Sequence, residues 1–365
     1  MFLWVLPYGV FLWVAQYALA ADQFIVKMKP QNALMADDIF AWHYTQMRYR
    51  TVRVLAAGQF SLANGSLDEL QAHPLVEYVE RDFEVFAVPT HIVVCDRPGW
   101  HIKRVDADTL WKIGLYGDGV TVAILDTGVD ASHRALQGRV LPGYNSVDGS
   151  NQSDDDSGHG THVAGTIVGR DIGIAPHARI LPIKFLDKNG VGTAARAIDA
   201  MYFAIKHHVS IINNSWGSGT SSQALLEMLT MAKNHGILVF SAAGNTGSSN
   251  DTSPVYPANA SFAVAATSIE DTMLPSSNYG DSVHLAAPGE AIYSSVLHQK
   301  YAAMTGTSMA TPIVSGIAAL LISAHAPLGK LGAILKAGSE MRLLPVASQG
   351  RVNASSALRV FSLLP

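Results

Sequence analysis

The sequence predicts an α/β fold with a mostly parallel sheet and helices on both faces, preceded by a small α+β unit. Apolar runs recur between residues 120 and 266 and alternate with helical patterns. Runs without polar alternation are typical of strands buried on both faces, as in a parallel sheet. The length of 365 residues suits two domains. Hydrophobic residues make up 48% of the chain and charged residues 15%, which excludes a disordered protein.

The first 20 residues predict a cleaved signal peptide and therefore a secreted, extracellular protein. This segment carries no charge and ends in Ala18-Leu19-Ala20, a small-x-small pattern typical of cleavage by a signal peptidase. The alternative is an uncleaved membrane anchor. It stays open because the first lysine is only Lys27 and because about 20 apolar residues can span a bilayer.

Residues 21–88 predict a small α+β unit of ferredoxin-like type with the order β-α-β-α-β. About 65 residues is near the lower limit for independent stability, so we expect this unit to lean on the larger domain. The predicted segments are a strand at Gln23 to Met28, a helix at Ala33 to Tyr44, a β-like stretch at Arg50 to Leu62, a helix at Leu67 to Ala72 capped by Ser66, and an extended stretch at Val76 to Val88.

Residues 89–99 show no helical or strand period, and we interpret them as a linker. Residues 100–365 then form the larger domain. Loops after the carboxyl ends of its parallel strands are expected to build the active site. The predicted strands are Val120 to Leu125, Ile180 to Phe185, Ile211 to Ile212, Ile237 to Ser241 and Phe262 to Ala266.

The charge and the cysteine content limit which binding partners and cross-links are expected. The formal net charge is -4 and no Lys/Arg run is longer than a pair, so nucleic acid is not expected. A membrane partner is expected only if the leader is uncleaved. The single cysteine, Cys95, cannot form an internal disulfide.

The first candidate catalytic residue is Asp126, which follows the predicted strand directly and precedes Thr127-Gly128. This places a carboxylate at the carboxyl end of a strand. Asp-Thr-Gly also occurs in aspartic peptidases, where two copies must share a proton. Only one copy is present here.

A histidine follows at the start of a predicted helix, in Ser157-Gly158-His159-Gly160-Thr161-His162. A zinc peptidase typically carries the motif His-Glu-x-x-His, and this segment has no glutamate after its first histidine. We interpret His162, three residues later on the same helix face, as structural.

Two further motifs complete the set of candidate catalytic segments. Ser241 to Asn245 ends an apolar strand, and Gly306 to Pro312, which contains Ser308, opens an apolar helix. A serine there is often only a cap. The stretch is not a Gly-x-Ser-x-Gly elbow, and the order Asp, His, Ser differs from that of the α/β hydrolases and of chymotrypsin.

Together these motifs resemble the subtilases, the subtilisin-like serine proteases of peptidase family S8, from Trp100 to Leu358. The resemblance implies a subtilisin-like catalytic domain and a serine endopeptidase that hydrolyses proteins through an acyl-enzyme on Ser308. Asp126 and His159 would complete the triad, and Asn245 would supply the oxyanion hole. The alternatives are a regulatory protein that cleaves itself once and a catalytically inactive scaffold.

The resemblance also implies substrate-binding segments. Gly190-Val191-Gly192 resembles the edge strand that pairs with substrate, and Ser215-Trp216-Gly217 with Ala243-Gly244 resembles the walls of the specificity pocket. The alternative is that these are ordinary loop glycines. No acidic cluster falls in the pocket, so we expect a preference for apolar or mixed side chains.

No cofactor is expected for the chemistry, and no metal ligand is predicted. Asp154, Asp155 and Asp156 lack the ligand spacing of an EF-hand, so we predict a solvated loop. Only Ile167 to Ala175 separates the histidine helix from Pro176, a short form that resembles proteinase K. It implies that the usual tight calcium site is absent, while weaker structural calcium sites stay open.

The N-terminal unit resembles the family's prodomain, which acts as a folding assistant and an intramolecular inhibitor of a monomeric enzyme. Residues Phe86 to Cys95 would cross the active site and be cut in cis by Ser308, leaving a mature enzyme without cysteine.

Overall fold

The computed structural model describes residues 23–29, 53–55, 59–93 and 98–363. The leader over residues 1–20, the predicted helix at Ala33 to Tyr44 and Cys95 lie outside the described residues. None of the helices within them is long and apolar enough to cross a membrane.

The described strands group into one large sheet and three small ones. The strands are β1 Gln23–Met28, β2 Arg53–Leu55, β3 Phe60–Asn64, β4 Val76–Arg81, β5 Glu84–Ala87, β6 His91–Val93, β7 Thr121–Asp126, β8 Tyr144–Asn145, β9 Arg179–Lys184, β10 Val191–Thr193, β11 Ile211–Asn214, β12 Trp216–Gly217, β13 Leu238–Ala242, β14 Phe262–Thr267, β15 Leu285–Pro288, β16 Ile292–Val296, β17 Lys300–Thr305, β18 Glu340–Met341 and β19 Gly350–Arg351.

The large sheet confirms the predicted parallel architecture. Its nine strands run in the order β18-β19-β15-β14-β13-β11-β7-β9-β8. Every neighbouring pair is parallel except the edge pair of β18 and β19. All five predicted apolar runs are strands of this sheet, and each is buried because helices cover both faces.

The described residues form nine helices, the first of which belongs to the N-terminal unit and the other eight to the large domain. They are α1 Leu67–Gln71, α2 Trp100–Arg104, α3 Ala107–Trp111, α4 His159–Val168, α5 Ala194–Lys206, α6 Gln223–Asn234, α7 Thr307–Ser323, α8 Leu328–Ala337 and α9 Ala354–Ser362. Helices α4 and α7 pack together in one core cluster. Helices α5 and α6 belong to a second cluster on the opposite face.

The N-terminal unit is a four-stranded antiparallel sheet in the order β2-β3-β1-β4, with the short helix α1 beside β4. Alternate residues of β1 point to opposite faces. Phe24 and Val26 form a small core with Leu70. Ile25 and Phe60 instead belong to the cluster that contains helices α5 and α6. The small sheet therefore packs its second face onto the large domain.

Two local features differ in detail from what the sequence predicts. Ser66 stands at the N-cap of α1, but its side chain makes no capping hydrogen bond. The predicted linker contains strand β6, in which His91 pairs with Thr305 and Val93 with Ala303 of β17. The side chains of β6 are exposed. The partner strand imposes this conformation through the backbone, so no hydrophobic period marks it in the sequence.

We predict that truncating helix α7 at its buried face destabilises the large domain. Ile317 is fully buried in the main cluster, so Ile317→Ala should lower the free energy of unfolding by about 2–5 kcal/mol. The matched control is Ile322→Ala in the same helix, which is only partly buried and should cost less. Urea unfolding followed by circular dichroism, in a Ser308→Ala background, measures both. Equal losses would contradict the packing described here.

Candidate active site

Asp126 ends strand β7 at the carboxyl edge of the sheet and is fully buried. Its Oδ1 lies 2.8 Å from Nδ1 of His159 and accepts the backbone N–H of Thr127 at 2.7 Å. A buried carboxylate only accepts hydrogen bonds, so the proton of the neutral imidazole sits on Nδ1. Nε2 of His159 is then left with a free lone pair.

Glycines allow this close approach. His159 is the first residue of α4, and Gly158 before it adopts a φ of 99°, which a side chain would strain. A Cβ on Gly160 would lie 2.1 Å from the carbonyl oxygen of Gly128. The start of α4 therefore lies directly against the loop that follows Asp126.

The pKa of His159 is raised above its ordinary value. Burial lowers this pKa, but the charge of Asp126 and its hydrogen bond to Nδ1 more than offset the burial, and Asp155 adds to the increase. The imidazolium form is thereby stabilised, as a general base needs once it has taken up a proton.

His162 holds helix α4 in place, in keeping with its interpretation as structural. Its Nε2 lies 2.9 Å from the carbonyl oxygen of Ile292 and 3.2 Å from that of Ala302. Burial and the neighbouring His159 lower its pKa to about 3, so it is neutral near pH 7.

The three consecutive aspartates are not all solvated, which corrects the expectation. Asp154 is exposed, but Asp155 accepts the hydroxyl of Thr127 at 2.8 Å and both the N–H and the hydroxyl of Thr161 at 2.9 and 2.6 Å. It thereby satisfies the unpaired N–H groups at the start of α4. Among the described residues, no group of three or more His, Cys, Asp or Glu side chains could hold a metal ion.

Asp156 is paired with Lys184, whose Nζ lies 2.6 Å from the carboxylate. The same ammonium donates to the carbonyl oxygens of Thr127 at 2.7 Å and Leu186 at 3.0 Å. Lys184 is buried, and Asp126 lies opposite it in the neighbouring strand. It therefore ties the loop after Asp126 to strand β9.

Ser308 is the second residue of α7, the helix that packs on α4. Its Oγ lies 3.1 Å from the carbonyl oxygen of Ser215 and 3.3 Å from that of Val88. The hydrogen bond expected between Ser308 and His159 is not formed: Nε2 of His159 has no partner among the described residues. The hydroxyl faces the carbonyl oxygens of Ser215 and of the docked Val88 instead, and catalytic hydrogen bonds are often incomplete outside the transition state.

Asn245 presents an amide donor beside Ser308. Its Oδ1 accepts the N–H of Thr307 at 3.0 Å and the Thr307 hydroxyl at 2.9 Å. This fixes the side chain so that Nδ2 faces the cleft, where it donates to the carbonyl oxygen of Pro89 at 2.6 Å.

A segment of the chain lies in the cleft between β10 and β12. Strand β5 pairs antiparallel with both strands, and the N–H groups of Ala87 and Val88 donate to the carbonyls of Gly190 at 2.7 Å and Ser215 at 3.1 Å. Val85 and Val88 are buried, whereas Phe86 is 45% exposed. The cleft therefore binds an extended chain and buries selected side chains of it.

Six of the eight predicted substrate residues contact this segment through strand pairing or backbone hydrogen bonds: Gly190, Val191, Gly192, Ser215, Trp216 and Gly217. The other two do not bond to it. Ala243 is buried in a small core cluster, and the N–H of Gly244 donates to Thr307 Oγ1 at 3.3 Å.

Sequence reasoning missed two acidic side chains that join the domains. Glu80 accepts the N–H of Gln223 at 3.0 Å, and Asp82 accepts that of Ala195 at 2.9 Å. These N–H groups begin helices α6 and α5, where anions are favoured. Acidic residues interleaved through residues 77–82 were visible in the sequence, but the helix starts that they contact were not.

Known proteins match this chain over most of its length. The model of the subtilase family, Peptidase_S8, matches residues 117–333. A thermostable alkaline protease of Halalkalibacterium halodurans is 36% identical over 271 residues, covering 72% of each chain. Subtilisin E of Bacillus subtilis is 36% identical over 288 residues, covering 77% of this chain and 73% of that protein.

Thermitase of Thermoactinomyces vulgaris is 35% identical over 269 residues, covering 70% of this chain and 94% of that protein. Among solved structures, fervidolysin from Fervidobacterium pennivorans, described as a keratinolytic enzyme related to subtilisin, superposes with a TM-score of 0.79 at 23% identity. That match covers 93% of this chain and 61% of the fervidolysin chain. It supports the subtilisin-like fold.

These matches identify the class of protein as a serine endopeptidase with a subtilisin-like α/β fold. The chain belongs to the subtilase family. The closer likeness to proteinase K stays a prediction.

We predict that the acid limb of kcat/KM has its midpoint above pH 6.5, the ordinary value for histidine. The free base is needed for activity, so the rate falls as the pH drops through the raised pKa of His159. Emptying the cleft removes some of the burial that lowers the pKa of His159, so the increase in this pKa should persist in free enzyme. A neutral ester substrate keeps substrate titration out of the profile. A midpoint below 6.5 would contradict the described environment.

Proposed function

We propose that Asp126, His159 and Ser308 are the catalytic triad of this endopeptidase, with Ser308 as the nucleophile. The observation that carries the proposal is the 2.8 Å contact between Asp126 Oδ1 and His159 Nδ1, beside a helix start that holds Ser308 3.3 Å from a docked main-chain carbonyl. No other reaction class uses this set of groups as directly.

Each group has a defined task in acyl transfer. Rotation of the Ser308 hydroxyl between staggered rotamers brings it to Nε2 of His159, which takes its proton as Oγ attacks the peptide carbonyl. Asp126 keeps Nδ1 protonated and stabilises the imidazolium. His159 then gives the proton to the leaving amine, and water hydrolyses the ester on Ser308.

The negative oxygen of the tetrahedral intermediate needs donors placed in advance. Asn245 is suited to this task because Thr307 fixes its amide with Nδ2 toward the cleft. The N–H of Ser308 lies in the first turn of α7, where the helix dipole also favours negative charge. The chemistry so described uses no cofactor. Any calcium ion bound at a weaker site is proposed to stabilise the fold and to take no part in the chemistry.

The substrates are proteins, bound as an extended strand between β10 and β12. Burial of Val85 and Val88 in the docked segment supports a preference for apolar side chains at the corresponding substrate positions. Main-chain pairing gives affinity independent of sequence, and the buried positions give selectivity.

The chain is proposed to be a secreted precursor. Residues 1–20 act as signal peptide, residues 21–88 as prodomain and intramolecular inhibitor, and residues 100–365 as a monomeric catalytic domain, with the maturation region at 89–99. The docking of residues 84–88 in the cleft supports the inhibitory role. The same docking favours the second candidate, a protein that processes itself and then keeps its prodomain bound.

Two substitutions test the triad. Ser308→Ala should abolish turnover of casein and separation of the domains, because both need the nucleophile. Asn245→Ala should lower kcat about 10²- to 10³-fold with little change in KM, the magnitude known for removal of the corresponding subtilisin asparagine. Casein hydrolysis and gel analysis of the refolded full chain measure the first effect, and steady-state assays of mature enzyme measure the second.

Full activity of Ser308→Ala would eliminate the proposed triad. Processing without turnover of casein by the purified wild-type catalytic domain would instead favour the second candidate function.

The helix-capping carboxylates predict how strongly the prodomain inhibits. Glu80→Ala and Asp82→Ala should each weaken inhibition by added prodomain about 2- to 30-fold, because each removes an acceptor at a helix start worth about 0.5–2 kcal/mol. Inhibition constants against a peptide substrate give the ratios. The matched control is Glu77→Ala, an exposed glutamate on the same strand β4. If all three substitutions weakened inhibition equally, the change in net charge alone would explain the weakening, and the proposed role of the helix contacts would be wrong.

A further inference from the structure

The two predicted walls of the specificity pocket end in residues without large side chains. The first wall begins at Ser215 and ends at Gly217, and the second wall is Ala243-Gly244. Glycine has no Cβ, so the wall ends leave the space between them wide. The size of the substrate side chain that fits there is therefore set by whichever side chain lies between the walls.

The side chain of Val255 lies against the first wall and packs on the cluster to which the second wall belongs. A Cβ placed on Gly217 would lie 2.8 Å from Cγ1 of Val255, closer than non-bonded carbon atoms approach. Val255 also packs against the small core cluster that contains Ala243. It is nevertheless only partly buried. An isopropyl group with an open face therefore stands between the two walls.

Hydrogen bonds of the backbone hold Val255 in this place. On one side, Tyr256 and Ser218 exchange two hydrogen bonds of 2.8 and 2.9 Å, which attach the segment to the residue after Gly217. On the other side, Asn259 Oδ1 accepts the N–H of Val255 at 2.9 Å, and the N–H of Asn259 donates to the carbonyl oxygen of Val255 at 2.8 Å. Moving Val255 away from the walls would break bonds on both sides.

The same asparagine connects Val255 to the second wall. Asn259 Nδ2 donates to the carbonyl oxygen of Asn250 at 2.9 Å, and Asn250 Nδ2 donates to the carbonyl oxygen of Ala243 at 3.0 Å. Asn250 is only 1% exposed, so water competes little for these bonds. The two walls and Val255 therefore form one hydrogen-bonded unit, which resists widening.

The segment docked in the cleft also separates small from large side chains. The N–H of Val88 donates to the carbonyl oxygen of Ser215, the first residue of the first wall, at 3.1 Å. Val88 is only 5% exposed, whereas Phe86 of the same segment is 45% exposed. The cleft thus buries a valine beside this wall and leaves the aromatic ring of the segment in solvent.

We propose that Val255 closes the specificity pocket, so that the enzyme cuts after small aliphatic residues such as alanine and valine and discriminates against phenylalanine and tyrosine. The inference rests on the proposed function, because only acyl transfer at Ser308 turns this fit into a cleavage preference. An aromatic ring needs the volume that the isopropyl group occupies, and forcing extra atoms into a packed site is unfavourable. In an apolar pocket even one methylene changes kcat/KM about 10- to 200-fold.

The test compares kcat/KM for four peptide p-nitroanilides that differ only in the residue before the cut bond, which is alanine, valine, leucine or phenylalanine. Wild-type enzyme matured from the full chain should hydrolyse the alanine substrate at least about tenfold more efficiently than the phenylalanine substrate. Val255→Gly should raise kcat/KM for phenylalanine about 10- to 200-fold and change that for alanine less than about threefold. Val255→Ala, which keeps a Cβ, should shift the preference in the same direction by less and serves as the second variant.

The matched control is Val283→Ala, which truncates a fully buried valine of the same cluster in the loop before β15. It should lower stability without changing the ratio of kcat/KM between the phenylalanine and alanine substrates. A wild-type enzyme that prefers phenylalanine, or Val255 variants that keep the wild-type ratio, would overturn the inference. Failure of wild type to hydrolyse casein and all four peptides would instead contradict the proposed function, which distinguishes the two failures.

Discussion

The hydrogen bond between Asp126 and His159 depends on how closely helix α4 can approach the end of strand β7. Gly160 lies against the carbonyl of Gly128 with no room for a side chain. Asp155 and Thr127 then bind the N–H groups that the helix start leaves unpaired. Lys184 holds the loop from the other side. The 2.8 Å contact is therefore the product of a sheet edge, a helix end and a buried cation acting together.

The cleft contains two short strands, β10 and β12. When nothing is bound, their edges expose unpaired backbone N–H and C=O groups, which favour pairing with another chain. In this structure β5 pairs with both strands, so under the proposed function inhibition and substrate recognition would use the same backbone groups. The acidic side chains Glu80 and Asp82 add a second attachment at the starts of α6 and α5. The N-terminal unit is thus attached to the large domain partly outside the cleft.

Much of the fold was predictable because buried parallel strands leave continuous apolar runs, and all five predicted runs belong to the large sheet. The pair of Asp126 and His159 was predictable from motifs that end a strand and begin a helix. Other features were not. Strand β6 has no hydrophobic period, since its partner β17 imposes it through the backbone. Asp155 and Lys184 act through contacts between distant segments, which spacing along the chain does not encode.

The amino-acid sequence by itself determined the fold class, the order of the chemical groups and the proline at position 89, because these are local patterns of side chains. Tertiary structure decided that Val88 and Pro89 lie at Ser308, and that Asn245 bonds to the carbonyl of Pro89. It also decided that the Ser308 hydroxyl turns toward the carbonyl oxygens of Ser215 and Val88 instead of His159. These contacts join residues 93 to 220 positions apart, and only folding decides which distant segments of the chain meet.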